Sequence, residues 1–241
     1  MKRALVFQHM DHDHPGRFAD YFAEDHIIPE AVRLFEGQEI PDLAPYDFLL
    51  VLGGAQDTWQ EDEHPWLRAE KEAIREWVMD RARPYIGVCL GHQLLATALG
   101  GEVGPAATGE VGVFDVDLTD DGRRHRLFEG LEGRHEVMQW HLAEVKRPPP
   151  QAHVLASSAA AAVQVLAIDN HAIGTQFHCE FTPQTMAGWS SLPGYIANLE
   201  KHRGAGAYPA LLRQSFPLMP RMAAMTRQIY DNLATATGLR K

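Results

Sequence analysis

Pro84-Tyr85-Ile86-Gly87-Val88-Cys89-Leu90-Gly91-His92-Gln93-Leu94-Leu95-Ala96-Thr97-Ala98-Leu99 decides the fold. Pro84 to Val88 is an apolar run of strand length, and Gly91 to Leu99 carries Leu94, Leu95 and Ala98 at helical spacing. Gly87-Val88-Cys89-Leu90-Gly91 is therefore a G-x-C-x-G sequence at a strand-to-helix turn, the thiol counterpart of a nucleophile elbow. A sharp turn leaves little room for a Cβ two residues before or after Cys89. It also sets the sulfur at the N-terminus of the next helix, where partial positive charge favours an anion. The pentapeptide alone also leaves open, as the lesser reading, a buried cysteine between incidental glycines.

Working outward, the N-terminal half alternates strand and helix signals. Arg3 to Gln8 reads as a strand, Arg17 to Glu24 as a helix, Ala31 to Phe35 as a strand, and Phe48 to Leu52 as a buried strand ending at Gly53-Gly54. Pro65 opens a helix to about Asp80, with Trp66, Ala69, Ala73, Trp77 and Val78 as its apolar stripe. This order predicts an α/β fold: a mainly parallel central sheet flanked by helices, a flavodoxin-like three-layer sandwich. Further β signals at Val111 to Leu118, Glu136 to Trp140, His153 to Ser157, Val163 to Ile168 and Ala172 to Phe177 predict an antiparallel extension. Pro148-Pro149-Pro150 reads as a surface loop, and helical signals follow Pro183, the longest from Met219 to Leu233. Residues 1–241 are expected to form a single domain with a helical C-terminal segment from about 183.

The chain has 241 residues, with 22 Lys+Arg against 32 Asp+Glu and 45% hydrophobic residues. A formal charge of −10 argues against nucleic acid or an anionic membrane surface as partner, since phosphate binding draws on clustered Lys and Arg. No apolar run reaches the ~18 residues of a membrane span. The start is too short in apolar residues for a secretory signal. The two cysteines, Cys89 and Cys179, have no framework spacing, which points to a reducing cytoplasmic compartment and free thiols.

A thiol nucleophile needs a base and a group to orient it. Gln176-Phe177-His178-Cys179-Glu180-Phe181 closes the last strand signal, and strand alternation would put His178 and Glu180 on one face with Cys179 on the other. Taken alone, an H-x-E pair is more often a solvated edge.

Together these segments resemble a family. Gly87 to Gly100, Gln176 to Thr182 and Val51-Leu52-Gly53-Gly54 are similar to the class I glutamine amidotransferase domain with its Cys-His-Glu triad. The likeness is strongest to free-standing members similar to the amidotransferase part of GMP synthase, through Leu49 to Val78, Val137-Met138-Gln139-Trp140-His141 and Leu155-Ala156-Ser157-Ser158. It spans roughly Lys2 to Pro183. The resemblance implies Cys89 as nucleophile, His178 as general base and acid, and Glu180 as its orienter. It implies an oxyanion hole from the main-chain N–H groups of Gly54 and Leu90. Substrate binding would fall to Gln93 and to His141, Leu142 and Ala143, the latter two through main chain. No metal or organic cofactor is implied.

Three positions depart from the family pattern: Ala55 and Cys179 stand where proline is usual, and His141-Leu142-Ala143 replaces the commoner His-Ser-Leu or His-Gly-Asp. The implied reaction is hydrolysis of a γ-glutamyl amide, glutamine or a γ-glutamyl amine or peptide, through a cysteinyl thioester. One alternative is a glutaminase subunit delivering ammonia to a separate synthetase. The other is a non-catalytic ligand-binding or regulatory protein on the same fold. His9-Met10-Asp11-His12-Asp13-His14 reads as a polar loop at the substrate edge of the sheet rather than a metal site. His92 is expected to make a local structural hydrogen bond. Trp66 and Trp77 are expected in the core and Trp59 at the pocket rim, while Met219, Met222 and Met225 should pack the last helix on the body.

Overall fold

The computed structural model describes residues 1–240. Its strands are β1 (Lys2–Gln8), β2 (Ile27–Arg33), β3 (Phe48–Val51), β4 (Tyr85–Val88), β5 (Glu102–Leu118), β6 (Arg134–Arg147), β7 (His153–Ser157), β8 (Val165–Ile168) and β9 (Ala172–Thr175). The helices are α1 (Arg17–Glu24), α2 (Trp66–Arg75), α3 (Leu90–Ala98), α4 (Pro183–Ser190), α5 (Pro193–Arg203) and α6 (Ala207–Ala236). One sheet of order β2-β1-β3-β4-β9-β8-β7-β5-β6 holds all the strands. β2, β1, β3, β4 and β9 run parallel, and β8, β7, β5 and β6 extend the sheet by antiparallel pairing.

Side-chain alternation along the central strands builds two apolar layers. Ala4, Val6, Phe48 and Leu50 face one side, where Phe18 and Phe22 of α1 and Ile229, Tyr230 and Leu233 of α6 cover them. Leu5, Phe7, Leu49 and Val51 face the other, against Leu67, Ile74 and Trp77 and against Leu94 and Leu95 of α3. A third cluster joins Val111 and Met138 of the extension to α4, α5 and the first half of α6, including Met219 and Met222. Met225 packs on the first layer.

Several element boundaries differ from expectation for local reasons. β2 begins at Ile27, because Pro29 and Glu30 on an exposed edge strand disguise its start, and Leu34–Glu36 turn into a 3-10 helix. The helix from Pro65 ends as a π-turn over Glu76–Asp80; its stripe is Leu67, Glu70, Ala73, Ile74 and Trp77, with Trp66 half-buried and Ala69 exposed. β5 and β6 are longer than their alternating cores, since Val103–Pro105 pair with Ala143–Val145 across an irregularity before Glu110. β9 stops at Thr175, so the His178–Glu180 segment is not strand; Phe181 N–H donating to His178 C=O closes a turn there.

The glycines beside Cys89 answer first to backbone. A Cβ on Gly91 would stand 2.3 Å from the Val51 carbonyl oxygen, and one on Gly87 2.6 Å from Gly91 main chain. Gly91→Ala is expected to cost about 3 kcal/mol, a fall of roughly 10 °C in melting temperature, because no flexible group can yield. Gly194→Ala, whose Cβ would meet nothing within 4 Å, is the control expected to melt with the wild type.

Candidate active site

The site forms where β1, β3, β4 and β9 end at the carboxyl edge of the sheet, the usual ligand crevice of open α/β folds. Cys89 sits between β4 and α3 with φ 51° and ψ −101°, a conformation costly for a non-glycine residue. Main-chain hydrogen bonds hold it there: Cys89 N–H donates to Thr175 C=O at 2.8 Å, and Gln93 N–H donates to Cys89 C=O at 3.1 Å. Gly53 lies against Asp13, His178 and Cys89, since a Cβ there would approach Asp13 Oδ2 at 3.1 Å, His178 Cε1 at 3.2 Å and Cys89 Cβ at 3.7 Å.

His178 and Glu180 meet through Nδ1 and Oε1 at 2.7 Å, with both side chains 5% exposed. The turn after β9, rather than strand alternation, brings them together. His178 N–H donates to Met138 C=O, Arg17 N–H donates to Glu180 C=O, and Thr226 of α6 donates to Cys179 C=O. Trp189 of α4 packs edge-on against the His178 ring and donates through Nε1 to Asp13. Burial alone would lower the imidazole pKa, but the Glu180 charge and the neighbouring Cys89 thiol outweigh it and hold His178 well above its ordinary value. Burial raises the Asp13 carboxyl, against the opposing pull of His178. Cys179 accepts a hydrogen bond from Thr175 Oγ1 in the core, where burial pushes its thiol up to about 12.

A cleft of about 350 Å³ opens on Cys89, bounded by Gly54, Gln93, Trp140, Leu142 and, from α5, Tyr195. Gln93 does not project freely into it: Nε2 donates to Ala143 C=O at 3.1 Å and to Gln176 Oε1 at 3.0 Å, and Gln176 Nε2 in turn faces the Cys89 sulfur at 3.7 Å. His141 is buried, with Nδ1 donating to Ala143 C=O at 2.9 Å and Nε2 meeting Glu110 at 3.0 Å. Gln164 donates to the same Glu110 oxygen. His141 and Gln93 thus brace the carbonyl of Ala143, while Leu142 is 44% exposed at the rim. Gly54 and Leu90 N–H donate to no protein group among the described residues.

The His9–His14 loop divides. His9 and Asp13 turn inward and are buried, whereas Asp11 pairs with Arg33 at the surface. Among the described residues no three His, Cys, Asp or Glu side chains are arranged to hold a metal ion. Trp59 is 46% exposed and does not line the cleft. Buried His92 packs on Gly174, and desolvation drives its pKa down to about 3, which keeps the ring neutral. Sequence reasoning placed Asp13 only within the polar His9–His14 loop and gave no role to Glu110, Gln164, Gln176 or Tyr195. Tyr195 lies on a helix without a distinguishing motif, but Glu70, an acid on the apolar stripe of α2, carried a readable signal.

The sequence profile of the family described as glutamine amidotransferase class-I matches residues 20–188. The chain belongs to this family. Among curated relatives of this class I amidotransferase, the glutamine amidotransferase-like protein YfeJ of Salmonella typhimurium is 35% identical over 65% of this chain and 66% of its own length. GMP synthase of Aeropyrum pernix is 36% identical over 70% of this chain, which spans only 31% of that protein. A glutamine-hydrolysing GMP synthase subunit of Sulfolobus acidocaldarius is 33% identical over 63% of this chain and 76% of its own. A glutamine amidotransferase of Thermotoga maritima superposes with a TM-score of 0.85 at 26% identity, over 96% of this chain and 97% of that one. One from Methylobacillus flagellatus gives 0.86 at 26% identity, over 98% and 96%. Among the described residues no helix is long and apolar enough to cross a membrane.

Proposed function

We propose that this chain hydrolyses a γ-glutamyl amide through a thioester on Cys89. The observation that carries the reading is the buried His178–Glu180 pair, at 2.7 Å, beside a cysteine on a strained elbow that opens into a cleft. Cys89 passes its proton to His178 and attacks the γ-carbonyl carbon, while Gly54 and Leu90 N–H groups hold the developing oxyanion. His178, kept in one tautomer by Glu180, gives the proton to the departing nitrogen, and the C–N bond breaks. Water deprotonated by His178 then attacks the thioester carbonyl; the C–S bond breaks, glutamate leaves and the thiol is restored. Main chain at Leu142 and Ala143, braced by Gln93 and His141, binds the α-amino-acid end.

Two leaving groups fit this chemistry: ammonia from glutamine, passed to a separate synthetase, or a larger amine released by the chain acting alone. The first is supported by likeness to the Sulfolobus protein, which is itself one subunit of a GMP synthase. The test is glutamate release by the purified chain from glutamine and from γ-glutamyl amines, anilides and dipeptides. Cys89-dependent turnover of a larger amide, with glutamine poor, identifies a self-sufficient hydrolase. Turnover of glutamine only when a synthetase is added identifies the ammonia-delivering role. Absence of both, together with no trapping of Cys89 by a glutamine-like electrophile, rejects the proposal in favour of a non-catalytic protein.

A further inference from the structure

Besides the His178–Glu180 pair, a second His–Glu pair is sealed under the site. His9, just past the end of β1, and Glu70, in the middle of α2, are both 0% exposed and meet through Nε2 and Oε1 at 2.8 Å. Trp66 stacks on the His9 ring at 5.5 Å with an interplanar angle of 13°. The other ring nitrogen, Nδ1, lies 2.8 Å from the Gly53 carbonyl oxygen. A carbonyl can only accept, so Nδ1 carries a proton whichever way His9 and Glu70 share the second one. The fit is close on the backbone side too, since a Cβ on Gly54 would stand 2.8 Å from His9 Cβ.

The Gly53 carbonyl and the Gly54 N–H belong to one planar trans peptide, so they point in opposite directions. Pulling the carbonyl toward His9 aims the N–H away from it. Glycine on both sides of that peptide would otherwise let it rotate at little cost. We infer that the His9–Glu70 pair positions the oxyanion hole, by holding the Gly53–Gly54 peptide with its N–H directed into the cleft. The inference rests on the thioester reading, which assigns Gly54 as an oxyanion donor. Glu70 keeps His9 in place and supplies the second hydrogen-bond partner a buried imidazole needs. It also accounts for an acid on the apolar stripe of α2. Neither residue touches substrate; both are positioning residues.

An oxyanion donor matters only where negative charge develops on oxygen, and this separates the role from a merely structural one. Displacement of iodide from iodoacetamide by the Cys89 sulfur forms a C–S bond and breaks a C–I bond without creating an oxyanion. The variant His9→Phe/Glu70→Gln keeps a ring in the pocket, removes the donor and leaves no stranded carboxylate. It is expected to lose about 10–100-fold in kcat on whichever γ-glutamyl amide the wild type turns over, with KM little changed. Its iodoacetamide rate should stay within about threefold of the wild type. Glu70→Gln alone lets the amide N–H donate to His9 Nε2 while Nδ1–H stays on Gly53, and should lose no more than about fivefold. Wild-type kcat in the double variant, or alkylation falling in step with turnover, overturns the inference. If the wild type releases no glutamate, alone or with a synthetase, and Cys89 is not trapped by a glutamine-like electrophile, the thioester reading fails separately, and the crystal structure of the double variant decides. A turned Gly53–Gly54 peptide supports the positioning role, and an unmoved Gly53 carbonyl overturns it.

Discussion

Cys89→Ala is expected to reduce glutamate release by at least ~10³-fold, because no other group in the cleft can form the acyl intermediate. The second thiol makes the contrast informative. Cys179 is 2% exposed, receives the Thr175 hydroxyl, and is held as a neutral thiol by burial. Cys179→Ala should therefore retain turnover within a few-fold and lower stability by about 1 kcal/mol through a small cavity. Cys89→Ala should do the reverse, since the elbow is shaped by main-chain bonds to Thr175 and Gln93 that alanine preserves. Retained turnover in Cys89→Ala, with loss in Cys179→Ala, would mean that the assignment of the nucleophile is wrong. Glutamate release and thermal melting of the two variants, measured side by side, give the answer.

How much of this was readable beforehand depends on whether the decisive contact is local. The strand, elbow and helix around Cys89 follow from apolar periodicity and two glycines, and the 2.3 Å that would separate a Cβ on Gly91 from the Val51 carbonyl oxygen shows why glycine is needed there. His178 and Glu180 are two residues apart, so their pairing is accessible from sequence, although strand alternation is not what produces it. What actually aligns them is a turn held by Met138, Arg17 and Thr226, three contacts distant in sequence. Nonlocal contacts also explain the roles that were not legible. His9 read as one of several loop histidines, and although Glu70 stands out as an acid on an apolar stripe, only the packing of α2 over the end of β1 joins the two. Likewise, Glu110 falls in a stretch with glycines and little alternation, and acquires its place through pairing of β5 with His141 on β6.

Glu180→Gln is the companion loss. The carboxylate accepts from His178 Nδ1 at 2.7 Å in a buried setting, and an amide there can leave the imidazole in the wrong tautomer. A fall of about 10²–10⁴-fold in kcat is expected, on the scale that follows when the acid of such a triad is neutralised. Unlike the His9 variant, this one should also slow alkylation by iodoacetamide, because the base that takes the thiol proton is weakened before any oxyanion is involved. Stability gives an independent readout with a definite sign. Burial lowers the His178 pKa, but Glu180 and Cys89 prevail and raise it above the unfolded value. The stabilisation from protonated His178 is then fully present below the unfolded imidazole pKa, about 6.5, and is lost as pH rises through the elevated folded value. With glutamine at 180, burial acts unopposed by that charge, and protonation of His178 disfavours folding. The difference in melting temperature between wild type and Glu180→Gln should therefore be largest near pH 5–6 and shrink toward alkaline pH. A difference that grows with pH would show that Glu180 does not hold the imidazole in its charged form.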